Sequence, residues 1–252
     1  MAEAARKLDI VDVRPVFTQA DADALNARFA GVETLTMLKT LFAEGILGTT
    51  AVVSSFGTES AVLLHLVARA DRSVPVIFVD TLKMFPETLA YREQLIADFA
   101  IENSWVVQPD AAVLEAKDDK GLRWSYDPDG CCEIRKVEPL KRAKAGLDSW
   151  ISGRKAFQSV TRQNLPRFEV EDGRLKVNAL GDWVKADLEA YFTEHDLPRH
   201  PLEAEGYLSI GCQPCTSKVQ PGEDPRAGRW RGWEKVECGI HVAEKPGEEP
   251  VF

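Results

Sequence analysis

The chain has 252 residues, enough for one large domain or two small ones and for a sizeable buried core. Hydrophobic residues make up 44% of the chain and charged residues 28%, which is ordinary for a soluble globular protein. The net charge of −9 provides no overall basic field, so the composition excludes a protein whose main task is to coat nucleic acid.

The N-terminus predicts no secretory signal, because no apolar run follows its basic residues. No stretch approaches the roughly 18 to 20 apolar residues that span a bilayer, so we expect no membrane partner. The chain has five cysteines. An odd number of cysteines without a secretory signal favours the reducing cytoplasm, where thiols serve as ligands and catalysts instead of forming disulfides.

Hydrophobic periodicity predicts the regular elements in chain order. Residues 1–45 place apolar side chains at helical spacing, which predicts an amphipathic helix. Short apolar and β-branched runs predict four strands, at 51–54, 74–79, 105–107 and 150–152. Helical spacing or a leading proline predicts a helix after each of the first two strands and one before the last, at 61–68, 86–100 and 131–145.

Strands that alternate with helices predict an α/β fold with a mainly parallel sheet and helices on both faces. Ligands of such sheets bind at the carboxyl ends of the strands, where the polar loops 54–60 and 80–83 lie. The character of the chain changes after about residue 202, and the stretch 214–250 is rich in Gly, Pro, Arg and Trp and has no helical or strand period. This pattern predicts an irregular tail that a ligand or partner would order. We therefore expect an α/β domain with a helical N-terminal extension over 1–205 and a C-terminal segment over 206–252.

The loop after the first predicted strand reads Ser-Ser-Phe-Gly-Thr-Glu-Ser at 54–60. Backbone N–H groups point outward at the start of a helix, and the helix dipole there favours an anion. The loop lacks the lysine and the spacing of a Walker A loop. Phosphate or sulfate binding and a plain N-capped turn both stay open from the residues alone.

Four cysteines form two pairs, Cys131 with Cys132 and Cys212 with Cys215. Structural zinc uses such C-x-x-C pairs, although neighbours on a helix point about 100° apart and suit a zinc site poorly. An iron–sulfur cubane is larger, and neighbouring thiolates can reach its separate irons. Zinc, a cubane and four buried free thiols remain the three interpretations.

The fifth cysteine, Cys238, stands alone near the C-terminus, with His241 three residues later. A basic stretch precedes it: Arg226, Arg229, Arg231 and Lys235. Cationic surroundings lower the pKa of a thiol and raise its thiolate fraction near neutral pH, which favours an activated nucleophile. The alternative is an exposed tail cysteine without a role.

Positive charge also gathers at 135–136, at 154–155 and at Arg162. Taken singly, each of these residues predicts only a solvated surface position. Together with the loop over 54–60, in an otherwise acidic chain, they predict a pocket for a multiply charged anion. Three histidines lack metal-ligand spacing and are predicted to be structural: His65, His195 and His200.

Five motifs in order, from about residue 50 to 241, resemble those of the assimilatory sulfonucleotide reductases, the adenylyl-sulfate (APS) and phosphoadenylyl-sulfate (PAPS) reductase family. The loop over 54–60 resembles the family's modified PP-loop. The others are V-D-T-L at 79–82 with F-P-E-T at 85–88, C-C-E-I-R-K-V-E-P-L at 131–140, G-C-Q-P-C-T at 211–216 with G-R-W at 228–230, and E-C-G-I-H at 237–241. Leu82 departs from a family glycine, which changes how closely the backbone can meet a nucleotide. Ala156 departs from a frequent basic residue, which weakens the expected arginine cluster.

The resemblance implies a PP-loop fold in which residues 1–205 bind a nucleotide. It also implies a reaction in which Cys238 attacks the sulfur of APS, AMP leaves, and reduced thioredoxin releases sulfite from the S-sulfocysteine. A [4Fe–4S] cluster on Cys131, Cys132, Cys212 and Cys215 is implied, and family members with both pairs resemble the APS reductases. The implied substrate-binding residues are Ser54, Ser55, Phe56, Gly57, Thr58, Ser60, Asp80, Lys136, Arg154, Arg162, Arg226, Arg229 and His241.

Two further hypotheses remain at this point besides a PAPS reductase. One is a PP-loop adenylyltransferase or pyrophosphatase that uses ATP and holds zinc in the four-cysteine site; it would not need Cys238. The other is a redox-sensing binding protein in which loss of a cluster alters the affinity for a partner. The oligomeric state stays open.

Overall fold

The computed structural model describes residues 17–158, 165–235, 237 and 239. Its helices are α1 (Gln19–Arg28), α2 (Thr34–Ala43), α3 (Ser60–Ala70), α4 (Pro86–Asp98), α5 (Ala111–Asp118), α6 (Pro128–Cys132), α7 (Glu138–Lys144) and α8 (Lys185–Glu194). Its strands are β1 (Thr50–Val53), β2 (Val76–Val79), β3 (Ser104–Val107), β4 (Ser149–Ser152), β5 (Phe168–Glu171) and β6 (Arg174–Asn178).

The six strands form one sheet in the order β3-β2-β1-β4-β6-β5. Every neighbouring pair is parallel except β5 and β6, which form an antiparallel hairpin. Because β1 pairs with β2 on one side and β4 on the other, the strand order reverses at β1. Loops leaving neighbouring strands in opposite directions open a crevice at their carboxyl ends. This topology confirms the predicted α/β fold and places the crevice beside the loop over 54–60.

Helices cover both faces of the sheet. The larger apolar core lies against α1, α2, α3, α4 and α8, and seven of the 11 residues of α3 are buried in it. The smaller core on the other face joins Ala51, Ile77 and Trp150 of the strands to Leu140 of α7. Burial of two faces explains why β1 and β2 read as short continuous apolar runs. No helix in the described part of the chain has both the length and the apolar character to cross a bilayer.

The predicted N-terminal helix is two helices in the described residues. Thr18 caps α1 through a reciprocal hydrogen-bonding pair with Asp21. The chain then turns at Gly31, whose φ of +68° breaks the helix. Asn26 exchanges two hydrogen bonds with the backbone of Phe168, so α1 is fastened to the edge strand β5. Residues 1–16 of the prediction lie outside the described residues.

The sequence analysis missed four elements: α5, α8, β5 and β6. In β6, Lys176 is only 2% exposed and its ammonium lies 3.1 Å from Glu169 and 2.9 Å from Glu171 of β5. Charges paired across the hairpin interrupt the apolar pattern by which strands are recognised. The predicted helix over 131–145 is also divided, because a π-helical turn at Glu133–Val137 separates α6 from α7.

The C-terminal segment packs along the carboxyl edge of the sheet. An antiparallel bridge joins Met84 to Cys212, and the hydroxyl of Thr58 donates to the carbonyl of Leu208 over 3.1 Å. Phe85 and Ile210 share a small apolar cluster. Between 195 and 235, the described chain contains short 3₁₀ turns and isolated bridges in place of helices or strands, as predicted for an irregular segment. Its division from residues 1–205 as a separate unit stays a prediction.

His200 provides a pH-dependent contribution to stability. It is 1% exposed, its Nε2 contacts the hydroxyl of Thr88 at 3.0 Å, and its Nδ1 accepts from the N–H of Leu202. Burial lowers the pKa of His200 to about 4 from its ordinary value of 6.5. The unfolded chain therefore binds this proton more tightly, and stability falls as pH decreases from 6.5 toward 4.

We expect the urea unfolding free energy to fall between pH 7 and pH 5, and His200→Gln to make that slope shallower. The full contribution of one such histidine is at most about 3 kcal/mol at 1.36 kcal/mol per pKa unit. His65, whose pKa burial also lowers to about 4, keeps part of the slope in the variant. An unchanged slope in His200→Gln would show that His200 does not titrate in this way.

Candidate functional site

The loop after β1 is held from both sides. Phe56 has a φ of +49° and is fully buried, with its ring edge-on to Phe78 at a centroid distance of 5.4 Å. Its N–H donates to the hydroxyl of Ser54 over 3.2 Å. Thr58 is tied to the C-terminal segment, whereas Ser55 is exposed. The loop therefore has a fixed backbone that ends at the N-terminus of α3, as the anion-binding prediction requires.

The residues after β4 form the opposite side of the crevice. The ammonium of Lys155, only 3% exposed, lies 2.9 Å from the carboxylate of Glu59 and donates to the carbonyl of Gly153. Arg154 was predicted to bind substrate, and its guanidinium pairs with Glu169 of β5 at 2.8 Å. Lys155 therefore joins the loop after β4 to the loop after β1, and Arg154 joins it to β5. The substrate role of Arg154 stays a prediction.

The loop after β2 contains Leu82, which stands where the family motif has glycine. Asp80 accepts from the N–H of Leu82 over 2.9 Å and from the side-chain amide of Gln108 over 3.0 Å. This turn gives Leu82 a φ of +59° and leaves its side chain 49% exposed. The left-handed conformation favours glycine, so this chain places a strained leucine at the position where the family motif has glycine.

A buried ion pair lies beside this loop. The Nε and Nη2 atoms of Arg135 donate to one carboxylate oxygen of Asp118, over 3.0 and 2.6 Å, and Nη1 donates to the carbonyl of Thr81 over 2.9 Å. Burial raises the pKa of Asp118, but the N–H of Arg123 and the guanidinium of Arg135 outweigh it, and the net shift is downward. The pair thus fixes the π-helical turn, the end of α5 and the loop after β2 relative to one another.

Four cysteines line one pocket: Cys131, Cys132, Cys212 and Cys215. The first two are buried and the other two are half-buried. The hydroxyl of Thr81 lies 3.2 Å from the sulfur of Cys212. The remaining walls are aromatic, basic or proline residues: Lys83, Trp124, Pro128, Arg135, Lys136, Pro214, Arg229 and Trp230. The structure therefore brings the two predicted cysteine pairs together beside Lys136 and Arg229.

The donor set suits a sulfur-ligated metal centre. Burial, together with the charges of Cys132, Cys212 and Cys215, raises the pKa of Cys131 to about 12. Four thiolates in such a pocket need a compensating positive centre, which soft metals supply. Among the described residues, no three or more Cys, His, Asp or Glu side chains converge closely enough to hold one metal ion. The four thiols thus share a pocket without converging on one coordination point.

Arg229 and Trp230 form the wall next to Cys215. The guanidinium of Arg229 stacks over the ring of Trp230 at 4.3 Å and donates to the carbonyl of Ile210 over 3.3 Å. The N–H of Trp230 donates to the carbonyl of Cys215 over 3.0 Å. A Cβ atom at position 211 would lie 2.3 Å from Arg229, so Gly211 provides the room for this guanidinium.

Residues on both sides of Cys238 lie beside chain neighbours of the pocket-lining residues. The ammonium of Lys235 pairs with Asp129 of α6, and the guanidinium of Arg226 lies 3.2 Å from the carboxylate of Glu237. A Cβ atom on Gly239 would lie 3.3 Å from Val137 of the π-helical turn. Three of the predicted site residues, Cys238, His241 and Arg162, lie outside the described residues.

The sequence analysis did not identify two residues of this site, Lys83 and Trp124, which line the pocket. It named Lys155 and Lys235 only as parts of basic stretches, and the structure pairs them with Glu59 and Asp129. The buried ion pair of Asp118 with Arg135 could not be predicted either, because the two residues are 17 positions apart and follow no local spacing.

The chain is similar to known proteins over most of its length. A family model described as the phosphoadenosine phosphosulfate reductase domain matches residues 49–218. A protein of Mesorhizobium japonicum named adenosine 5'-phosphosulfate reductase is 46% identical over 94% of this chain and 94% of that protein. A protein of Gloeobacter violaceus named phosphoadenosine 5'-phosphosulfate reductase is 42% identical over 75% of this chain and 80% of that protein.

A solved structure shares the fold. The crystal structure of phosphoadenylyl-sulfate (PAPS) reductase from Candida auris, a phosphate complex, superposes with a TM-score of 0.68 at 28% sequence identity. The match covers 81% of this chain and 98% of that one. The predicted PP-loop type of α/β fold is therefore confirmed.

The strain at Leu82 predicts a stabilising substitution. Leu82→Gly should raise the unfolding free energy by about 0.5–1 kcal/mol, because glycine removes the left-handed penalty and loses only part of it to unfolded-chain entropy. Leu82→Ala is the matched control; it shortens the same exposed side chain and keeps the strain. Urea unfolding measures both, and a Leu82→Gly variant no more stable than Leu82→Ala would contradict a strained backbone here.

The buried pair predicts a large loss when one partner is removed. Arg135→Met should lower the unfolding free energy by about 3–5 kcal/mol, since it leaves the charge of Asp118 buried. Arg142→Met is the control, because its pair with Glu138 is about half exposed and should cost less than about 1 kcal/mol. Equal losses of unfolding free energy in the two variants would show that burial does not increase the contribution of the Arg135–Asp118 pair to stability.

Proposed function

The chain belongs to the phosphoadenosine phosphosulfate reductase domain family, and we propose that it reduces adenylyl sulfate to sulfite and AMP. The observation that carries this proposal is the 46% identity with a relative named adenosine 5'-phosphosulfate reductase over 94% of both lengths. The pocket that collects all four paired cysteines supports the same activity. APS reduction serves sulfate assimilation and the synthesis of cysteine.

The first step is a thiol attack on sulfur. The thiolate of Cys238 attacks the sulfate sulfur of APS, a bond forms between the two sulfur atoms, and the bond from that sulfur to the phosphate oxygen breaks. AMP leaves with the electron pair, and Cys238 carries an S-sulfonate. The two anions repel each other, so catalysis depends on cationic groups placed around the reacting sulfur and the leaving phosphate.

The second step regenerates the thiol. One thiolate of reduced thioredoxin attacks the sulfur of Cys238, and sulfite leaves with the electron pair of the sulfur–sulfur bond. The second thiol of thioredoxin then resolves the mixed disulfide, which leaves Cys238 reduced and thioredoxin oxidised. The two electrons that reduce the substrate therefore come from the thioredoxin dithiol.

The described residues divide into two groups around this reaction. The fixed backbone of the loop after β1, with Ser54, Ser55, Phe56, Gly57, Thr58 and Ser60, binds the nucleotide phosphate, and Asp80 closes the neighbouring loop. Lys136 and Arg229 sit in the cysteine pocket and neutralise the sulfate. Arg154, Arg162, Arg226 and His241 complete the proposed substrate set.

The four pocket cysteines would hold a [4Fe–4S] cluster. Their softness as ligands, their common pocket and the rise in the pKa of Cys131 fit a bound metal centre. When bound, the cluster would offset part of the negative charge of the four thiolates and would order this wall of the site. Cysteines that serve as metal ligands and as a nucleophile fit a reducing compartment, so we place the protein in the cytoplasm.

PAPS is the second candidate substrate, because one relative and one solved structure carry that name. The 3'-phosphate of PAPS needs its own cationic partner. Family members with both cysteine pairs resemble the APS reductases, and both pairs line one pocket here. We therefore expect kcat/KM to be higher for APS than for PAPS.

One labelling experiment tests the proposed function. The wild-type protein, incubated with ³⁵S-labelled APS and no reductant, should retain label on the tryptic peptide that contains Cys238 and release AMP. Cys238→Ser should retain none. Reduced thioredoxin should release the label as sulfite, whereas thioredoxin with alkylated thiols should not.

Protein with bound iron that retains no label would refute the reductase proposal. Turnover of ATP by Cys238→Ser would instead favour an adenylyltransferase or pyrophosphatase. Nucleotide binding without label or turnover would favour a redox-sensing binding protein.

A further inference from the structure

The residues on either side of Cys238 are anchored at alternate positions. Lys235 pairs with Asp129, two residues before the first pocket cysteine. Glu237 pairs with Arg226, and a Cβ atom on Gly239 would lie 3.3 Å from Val137, next to Lys136. The two chain neighbours of Cys238 are therefore placed beside Arg226 and beside the π-helical turn.

The Arg226–Glu237 pair is the charged anchor directly beside the reactive cysteine. The guanidinium lies 3.2 Å from the carboxylate, and the side chains are only 24% and 14% exposed. A carboxylate with so little water around it needs its cationic partner to offset the free-energy cost of its lost hydration. Removal of that interaction should therefore release the segment, whereas removal of an exposed charge should not.

Arg226 itself is fixed by the turn that carries Arg229. The N–H of Arg226 donates to the carboxylate of Asp224 over 2.7 Å, and its carbonyl accepts from the N–H of Arg229 over 2.8 Å. Arg229 in turn lines the cysteine pocket. Glu237 is thus fastened to the same turn that places a proposed sulfate-binding guanidinium.

We propose that Glu237 is a positioning residue for the first step, because its pair with Arg226 holds the Cys238 segment against the turn that carries Arg229. This inference rests on the proposed function for its kinetic consequence. Glu237 does not touch the reacting atoms in this scheme. Its loss should therefore slow formation of the S-sulfonate on Cys238 without weakening nucleotide binding.

The test compares Glu237→Gln with Glu234→Gln, a matched control in the same segment at an exposed glutamate. Single-turnover formation of the labelled Cys238 peptide should fall about tenfold in Glu237→Gln, the scale of losing one partner of a partly buried charge pair. The inhibition constant of AMP should not rise. Glu234→Gln should match the wild-type protein in both measurements.

Trypsin cleavage provides a second readout that needs no substrate. Cleavage after Lys235, followed by mass spectrometry, should be several-fold faster in Glu237→Gln than in the wild-type and control proteins, because the released segment becomes accessible. Equal unfolding midpoints and iron contents would show that the fold and the cysteine pocket are intact.

An adduct rate within twofold of wild type, together with unchanged cleavage, would overturn the positioning role. A parallel loss of AMP affinity and adduct rate would also overturn it, since Glu237 would then act on binding. If the wild-type protein forms no adduct at all, the proposed function fails. The cleavage comparison would still decide whether the pair holds the segment.

Discussion

The guanidinium of Arg135 is the constraint on which the site depends. Its three donating nitrogens bind Asp118 at the end of α5 and the carbonyl of Thr81 after β2. Arg135 follows Cys132 by three positions, and the hydroxyl of Thr81 contacts the sulfur of Cys212. One buried network therefore connects two cysteine pairs that lie about 80 residues apart in the chain. A buried charge with three hydrogen bonds to two fixed partners has few alternative arrangements, so it specifies this one.

Backbone strain is concentrated in the loops around the same site. Phe56, Leu82 and Trp230 are bulky residues with positive φ values, at the ends of β1 and β2 and in the pocket wall. Such residues cost free energy and persist only where the surrounding contacts determine them. Phe56 is held by the core and Leu82 by the side chain of Asp80. These loops are stiff, which suits a site that must hold anions at fixed positions.

Much of this fold follows from local pattern. The strands β1 to β4 fall in the four apolar runs, and β1, β2 and β4 do so because most of their residues are buried. The hairpin of β5 and β6 escaped prediction because the buried Lys176 pairs with Glu169 across the strands, and such pairing leaves no periodicity. The cysteine pairs could be grouped from their spacing. The contacts of Arg135 with Asp118, Arg154 with Glu169 and Arg226 with Glu237 join distant segments, so they could be found only from the folded chain.

The central claim is that the cysteine pocket and the loop after β1 form one site for a sulfonucleotide beside a metal cluster. A crystal structure of the protein with AMP, with anomalous diffraction collected at the iron and zinc edges, tests it most directly. We expect iron bound by Cys131, Cys132, Cys212 and Cys215, and the AMP phosphate against the backbone of residues 54–60. A single zinc ion in the pocket, or AMP bound away from that loop, would contradict the account.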